Sequence, residues 1–497
     1  MKKSQKLLAI GLAAIMTISL AACGGSDNKE STTAGTKEST TAGTTAATTK
    51  ADESATEPTT EEAAEKPYEG MTMTVFSDLD LSAGGNEDSW YWAALVHHAL
   101  DEWCEENGAT WEQMNSRDLN VLMAAIASGR SPELYYSYQH WPQLANLGLV
   151  ESITDYYDEL AEKYGNFYLD LMEYKGDYYG VNLPWNEVTM IMYDRTVFEE
   201  LGVKTPKEYF LEGNWTFETW ANVAQEVTKD LDGDGVNDYV GASTGQVASA
   251  MCPPLVQQDD GTLTSLADGE RWYDMAQILY NGVSVHKSMV AKNYVNPKQY
   301  DEGYVVMGIS PVDIWEAGTT MSMLYTDNQG HVIETVPTPM WKEDDPDYFS
   351  KVNFFQFAIP KGTVSLDASV SLMDYILEAG CAMEMQPSGL TNYEFTGLRG
   401  TTEESKAYIE YRKEKYDTTM AEMKAIPEYD AEYQQAVLDW IDQYPRLTDQ
   451  TYTDVTYNVT MQGESVFYSS PAATAIPTFS EAVKAQCEKY NATYIFN

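Results

Sequence analysis

Apolar residues recur along this chain at two spacings, and stretches of the two kinds alternate. In "MTMTVFSD" (Met71–Asp78) every second residue is apolar until the polar end, which predicts a strand. "WYWAALVHHALDEWCEENG" (Trp90–Gly108) carries apolar residues three and four apart and stops at a glycine, the pattern of a helix. "LNVLMAAIASGRSPELYYSY" (Leu119–Tyr138) reads as helix, Gly-Ser-Pro turn and strand, and Phe217–Thr228 as a helix before a strand at "YVG". The polar-rich stretch from Thr401 to Thr448 has Tyr and acidic residues at helical spacing. Alternating helix and strand predict parallel sheets with helical cover. A folded part of this length exceeds the usual size of one domain and divides more naturally into two α/β lobes.

The N-terminus follows a different pattern. Lys2, Lys3 and Lys6 precede an unbroken, largely apolar run from Leu7 to Leu20. A bilayer span needs roughly 20 residues, so the shorter run fits a secretory signal over residues 1–22. It ends in Leu20-Ala21-Ala22-Cys23-Gly24-Gly25, which resembles a bacterial lipoprotein signal with Cys23 as the lipidated residue. Residues 23–67 contain the octets "ESTTAGTK" and "ESTTAGTT" back to back and no aromatic residue before Lys66. Such composition buries too little apolar surface to offset chain entropy and is expected to be a disordered tether. The folded part is therefore expected at the extracellular face of the cell membrane, attached through the N-terminal lipid only.

Charge and cysteine usage narrow the classes. The formal net charge of −46 excludes nucleic acid as a partner, because phosphates demand basic faces. Cys104, Cys252, Cys381 and Cys487 are widely spaced and form no CxxC; they are expected as small buried thiols, with one disulfide left open. His97, His98, His140, His286 and His331 show no HExxH or other metal spacing and are expected as surface or satisfied core residues.

Several stretches occur in an order that carries a resemblance. "ASGRSPELYYS" is followed by "LANLGLVESITDYYDE" and by "YKGDYYGVNLPWNEVTMIMYDRTVFEELGVKTPKE" (Tyr174–Glu208). Then come "NWTFETWANVAQEVTKDLDGDG", "EGYVVMGISPVDIWEAG" (Glu302–Gly318) and "FAIPKG" (Phe357–Gly362). Together they resemble the family 1 extracellular solute-binding proteins of bacterial ABC importers, the lipoprotein type of Gram-positive bacteria. The usual Tyr-Asn-Lys is Tyr193-Asp194-Arg195 here. The resemblance implies a two-lobe, Venus-flytrap α/β fold with several crossings between lobes, a solute held in the cleft, and delivery to permease subunits. It gives an N-terminal lobe of residues 68–185 plus 318–385 and a C-terminal lobe of 186–317 plus 386–497. A monomer without catalysis is expected, since binding needs hydrogen bonds and stacking and not a tuned acid and base.

Cleft residues in such a fold come from loops after strands and from the crossings. Four places there set flat rings beside amides or carboxylates: Asp78 and Asp80 with Asn86 and Trp90; Tyr138 and His140 with Trp141; Trp185 with Asn186 and Glu187; and Asp313 with Trp315. Sugar rings stack on aromatic planes while carboxylates and amides take the hydroxyls, so the expected solute is a neutral sugar or oligosaccharide. The alternatives are a polyamine or other cationic solute, held by carboxylates and cation–π faces, and a surface glycoside-acting enzyme with a carboxylate pair. A calcium-dependent adhesin fits neither the strand–helix alternation nor the absence of a repeat in the folded part.

"TKDLDGDGVNDYVG" (Thr228–Gly241) places Asp230, Asp232, Asp234, the Val236 carbonyl and Asp238 at calcium-loop spacing, with Gly235 at the turn. Gly241 stands where a bidentate glutamate would close the shell. An Asp/Gly turn between helix and strand has the same sequence; mutual repulsion of four carboxylates favours a structural calcium ion. No other cofactor is implied.

Overall fold

The computed structural model of the chain describes residues 66–81, 91–137, 140–245, 247–258, 262–292, 296–313, 324–381, 397–443, 446–447 and 466–495. Cys23, the signal and most of the tether lie outside them, as do Asn86, Trp90, Tyr138 and Trp315.

The alternating stretch becomes strand β1 (Thr72–Ser77), with Met73 and Val75 fully buried and Thr72 exposed. Helix α1 (Tyr91–Asn107), strand β2 (Thr110–Asn115), helix α2 (Leu119–Ala127) and strand β3 (Leu134–Ser137) follow as the spacing predicts. Asp118 caps α2 by accepting from the Asn120 N–H. Strands β1, β2 and β3 are parallel.

The long strand β4 (Gly180–Asp194) leads to a second set of elements. These are helix α3 (Phe217–Val227), strands β5 (Tyr239–Ser243), β6 (Met289–Val290) and β7 (Gly303–Asp313), and the hairpin of β8 (Leu324–Thr326) and β9 (Val332–Pro337). Strand β10 (Ser350–Ala358) returns to the first set, where helix α4 (Leu366–Cys381) follows. Helices α5 (Glu403–Ala425), α6 (Ala431–Gln443) and α7 (Ala472–Tyr490) complete the described chain. Among the described residues, none of these helices is long and apolar enough to cross a membrane.

The main strand order is β6-β5-β7-β4-β10-β3-β1-β2. Its two ends are parallel, as expected, but its middle is not. Strand β4 runs antiparallel to β10 through Gly180–Pro184, then antiparallel to β7 and β9 through Glu187–Asp194. One strand thus serves both halves of the sheet, because a chain that passes between lobes and returns must run in opposite directions at the crossing.

Two main cores flank this crossing. The first gathers Met73, Leu95, Trp103, Tyr136, Phe355, Phe357 and Ile376; the second gathers Met192, Phe198, Trp220, Trp272, Met275, Phe467 and Phe479. Two boundaries differ from the sequence expectation. Ile333 and Val336, assigned with 318–385 to the first lobe, pack in the second core because β9 pairs with β4. Leu398 and Tyr408, assigned to the second lobe, pack in the first core. The helical stretch after Thr401 is divided into two helices. Pro427 disfavours helical backbone at the preceding residue, and Ile426 ends α5 with φ −68° and ψ 125°. Cys104, Cys252 and Cys487 are buried free thiols, and burial pushes the first two up to about 12.

Candidate functional site

The carboxyl ends of parallel strands, at the point where a sheet changes connection, are where open α/β folds take ligands. Here that point lies at the β4–β10 crossing. Register sets Asn182 of β4 opposite Gln356 of β10, and Gln356 opposite Ser137 at the end of β3. The Ser137 hydroxyl donates to Asp78 Oδ1 (3.4 Å), just beyond β1. A polar row of Asp78, Ser137, Gln356 and Asn182 therefore crosses four neighbouring strands. Ser137, Gln356 and Asn182 are all nearly fully buried, where each unmade hydrogen bond costs about 1–3 kcal/mol. The Gln356 Oε1 has no partner among the described residues, so this row retains acceptor capacity. Next to it, burial and the Asp78 charge push the Tyr136 hydroxyl well above its usual range, which keeps it a neutral O–H.

On the far side of the crossing, backbone register brings Glu187 of β4 directly opposite Asp313 of β7. The segment Trp185-Asn186-Glu187 and Asp313, distant in sequence, thus meet at the junction of the lobes. Buried Thr189 follows two residues along β4 on the same face as Glu187, opposite Pro311 of β7.

The sequence-derived places divide three ways. Asp78 sits half-buried at the row, Asp80 is exposed beyond β1, and the Trp185 and Asp313 segments lie at the crossing. His140 is half-buried with its backbone at φ 73°, and its Nε2 lies 2.9 Å from the Arg117 carbonyl. Trp141 is a correction. It is 5% exposed, packs edge-on to Tyr174 and sits among Leu144, Leu149 and Met172. It is a core residue, because the turn after β3 directs it into a third small cluster. Ser137, Asn182 and Gln356 were not found from sequence.

The aspartate loop is closed by paired backbone bonds between Lys229 and Tyr239 (3.0 and 2.9 Å). Carboxylate oxygens of Asp230, Asp232 and Asp238 come within 4.8 Å of one another. Each also accepts backbone N–H groups of the loop: Asp230 from Gly233 (2.7 Å) and Gly235 (2.9 Å), Asp232 from Asp234 (3.0 Å), Asp238 from Leu231 (2.6 Å). Asp234 instead holds the Val236 N–H at 2.7 Å. A Cβ on Gly241 would lie 1.9 Å from the Ala224 carbonyl oxygen, so no glutamate fits at that position of this strand.

Residues 109–415 match the family described as bacterial extracellular solute-binding protein. A maltotriose-binding protein of Pyrococcus abyssi is 34% identical over 83 residues, 16% of this chain and 18% of that protein's length. The cyclic alpha-maltosyl-1,6-maltose binding protein of Arthrobacter globiformis superposes with a TM-score of 0.54 at 13% identity, over 84% of this chain and 99% of that one. An ABC substrate-binding protein of Listeria monocytogenes, solved in complex with cycloalternan, gives 0.52 at 13% identity over 86% and 100%. At these identities the likeness establishes the fold: two α/β lobes joined by crossing strands.

Proposed function

Because the chain belongs to the bacterial extracellular solute-binding proteins, we propose that it captures a neutral sugar or oligosaccharide between its lobes and hands it to the permease of an ABC importer. The observation that carries this reading is the row Asp78–Ser137–Gln356–Asn182 at the crossing, with Trp185 three residues further along β4 and, beyond it, Glu187 paired in register with Asp313 of β7. Hydroxyl, amide and carboxylate groups in a line suit a ligand that offers many hydroxyls, and buried acceptors such as Gln356 Oε1 gain most when one arrives. Closure about the crossing strands would then bury the solute and present a joint surface to the permease.

Thermal-shift screening over sugars, glycans, polyamines and peptides identifies the solute, since a ligand at 100 times its Kd stabilises the fold by about 2.7 kcal/mol. With the solute in hand, Gln356→Ala, Trp185→Ala and Trp315→Ala are each expected to weaken binding about tenfold, or about 1.4 kcal/mol, by calorimetry. Unchanged affinity in all three would remove the site from the crossing. A cationic solute is the second reading, favoured by the net charge of −46 and the acids at the crossing. Sugar affinity should hardly change between low and high salt, whereas polyamine affinity should fall steeply.

Cys23 at the end of the apolar run is proposed as the lipid anchor at the outer membrane face. Anchoring by acyl chains predicts that Cys23→Ser moves the protein from the membrane fraction to the medium; equal retention contradicts it. The Asp230–Asp238 loop is proposed to hold calcium as a staple between α3 and β5, supported by the three converging carboxylates. Excess chelator should then lower the melting temperature of the wild type and leave Asp232→Ala unchanged. A wild type indifferent to chelator would make the loop an ordinary turn, held by the N–H bonds that its carboxylates already accept.

A further inference from the structure

Helix α1 carries a second group of metal-ligating side chains, away from the aspartate loop. His97 and Asp101 lie one turn apart on the same face, and His98 stands beside them with its ring 5.2 Å from that of His97 at 86°. One ligand atom from each of the three residues lies within 4.8 Å of the other two. We propose that His97, His98 and Asp101 form a binding site for a divalent transition metal of the zinc type, with a fourth position left for water.

Three observations carry the assignment. First, His98 is 2% exposed and neither of its ring nitrogens has a hydrogen-bond partner among the described residues. A buried imidazole with two bare nitrogens is costly, and such groups in folded proteins ordinarily mark a bound water or ion. One face of that ring is covered by Tyr408 at 4.5 Å, which fixes the ring plane. The expectation that every histidine here is a surface or satisfied core residue does not hold for His98.

Second, the His97 ring is committed at both nitrogens. Its Nδ1 lies 2.6 Å from the Leu81 carbonyl, which can only accept, so that nitrogen carries the hydrogen. The Nε2 lone pair then points at Asp101 Oδ2, 3.1 Å away. Without metal a proton bridges these two atoms as an ion pair, and a metal ion binds by taking that proton's place. Ligand atoms of a tetrahedral zinc site with bonds of about 2.0–2.1 Å lie about 3.3 Å apart, close to the separation seen.

Third, the groups behind two of the three ligands, His97 and Asp101, are already arranged. A backbone carbonyl on the remote nitrogen of a ligating histidine, and a donor on the remote oxygen of a ligating carboxylate, are the usual outer shell of such sites. Leu81 supplies the first. Trp111 supplies the second, its Nε1–H donating to Asp101 Oδ1 at 2.6 Å. Leu81 is itself held by Gln113, whose Oε1 accepts the Leu81 N–H at 3.1 Å. A metal here would tie the segment beyond β1 to α1 at the place where α5 packs through Tyr408.

The test is a cobalt titration of the full chain without a histidine tag, followed by displacement with zinc. One equivalent of cobalt should acquire the visible bands of four-coordinate cobalt and lose them to one equivalent of zinc. His98→Gln and Asp101→Asn should weaken zinc binding at least about 100-fold, Trp111→Phe about tenfold, and Asp232→Ala not at all. Metal-free melting curves of the variants establish that each is folded. A wild type whose cobalt keeps its aqueous spectrum overturns the proposal, as does stoichiometric binding that survives in both His98→Gln and Asp101→Asn.

Discussion

Glu102→Ala is expected to lower the stability of the first lobe by about 3–5 kcal/mol, the cost of removing one side of a buried charged hydrogen-bond network. Glu102 is fully buried on the inner face of α1. Its two oxygens accept from four donors: the Tyr375 hydroxyl at 2.8 Å, the Arg399 N–H at 2.9 Å, the Thr401 N–H at 3.0 Å and the Ser405 hydroxyl at 2.5 Å. Three stretches of chain meet there: α1, α4 and the start of α5. The last is also capped by Thr402, which accepts from the Ser405 N–H. Alanine leaves the Tyr375, Arg399 and Thr401 donors without their acceptor in a dry site, while the Ser405 hydroxyl keeps the Thr402 carbonyl at 3.1 Å. Glu102→Gln keeps one oxygen but turns an amide N–H₂ towards the donors, and about 2 kcal/mol of loss is expected. Denaturant midpoints of the three proteins measure the order alanine, glutamine, wild type. A loss under about 1 kcal/mol for alanine would mean that the carboxylate is not what seats α5.

Gly241→Ala is expected to cost about 3 kcal/mol, at the upper end for overpacking. The added carbon would lie 1.9 Å from the Ala224 carbonyl oxygen and 2.6 Å from the Ala224 Cα, both backbone atoms of the packed helix α3. Neither can rotate away. The helix must lift from β5, loosening Ala224 and Val227 from the second core. Gly233→Ala is the control: it lies in the adjoining loop at φ 78° with nothing within 4 Å of the added carbon. There only backbone strain is added, about 1 kcal/mol. Equal melting temperatures for the two variants would refute the close approach of strand and helix. The same approach explains why the aspartate loop never completes a calcium-sensor pattern. The position that would carry the closing glutamate is already committed to packing.

How much of this was legible in the chain depends on whether the information is local. β1, α1 and α2 follow from spacing within each element's own short stretch of chain, and β1 and α1 begin and end one residue inside the expected stretches. The segment Trp185-Asn186-Glu187 lies where β4 passes from pairing with β10 to pairing with β7, a position set by partners distant in the chain. The polar row did not follow from the sequence. Gln356 reads as an ordinary polar residue inside "NFFQFA", and only register sets it between Asn182 and Ser137, both far earlier in the chain. Glu102 and His98 were hidden for the opposite reason. Both sit in a helix whose apolar stripe is clear, and neither stripe nor spacing says that a second helix will cover its polar side. Trp141 misled because a ring beside a polar cluster reads the same whether it lines a cleft or fills a core.

The break at Ile426–Pro427 has a mechanical consequence. Helix α5, about 35 Å long at about 1.5 Å per residue, is rooted in the first core by Tyr408 and by the bonds that Glu102 makes to its start. Helix α6 is rooted in the second core by Tyr433 and Val437, with Asp430 just before it paired to Lys207 at 3.2 Å. The far end of α5, through Met420 and Met423, already packs on Leu324 of β8 beside the second core, so this one helix reaches from one half to the other ahead of the break. Proline does not undo that strut. It turns the chain at the strut's end, so that α6 seats Tyr433 and Val437 in the second core instead of running on past it.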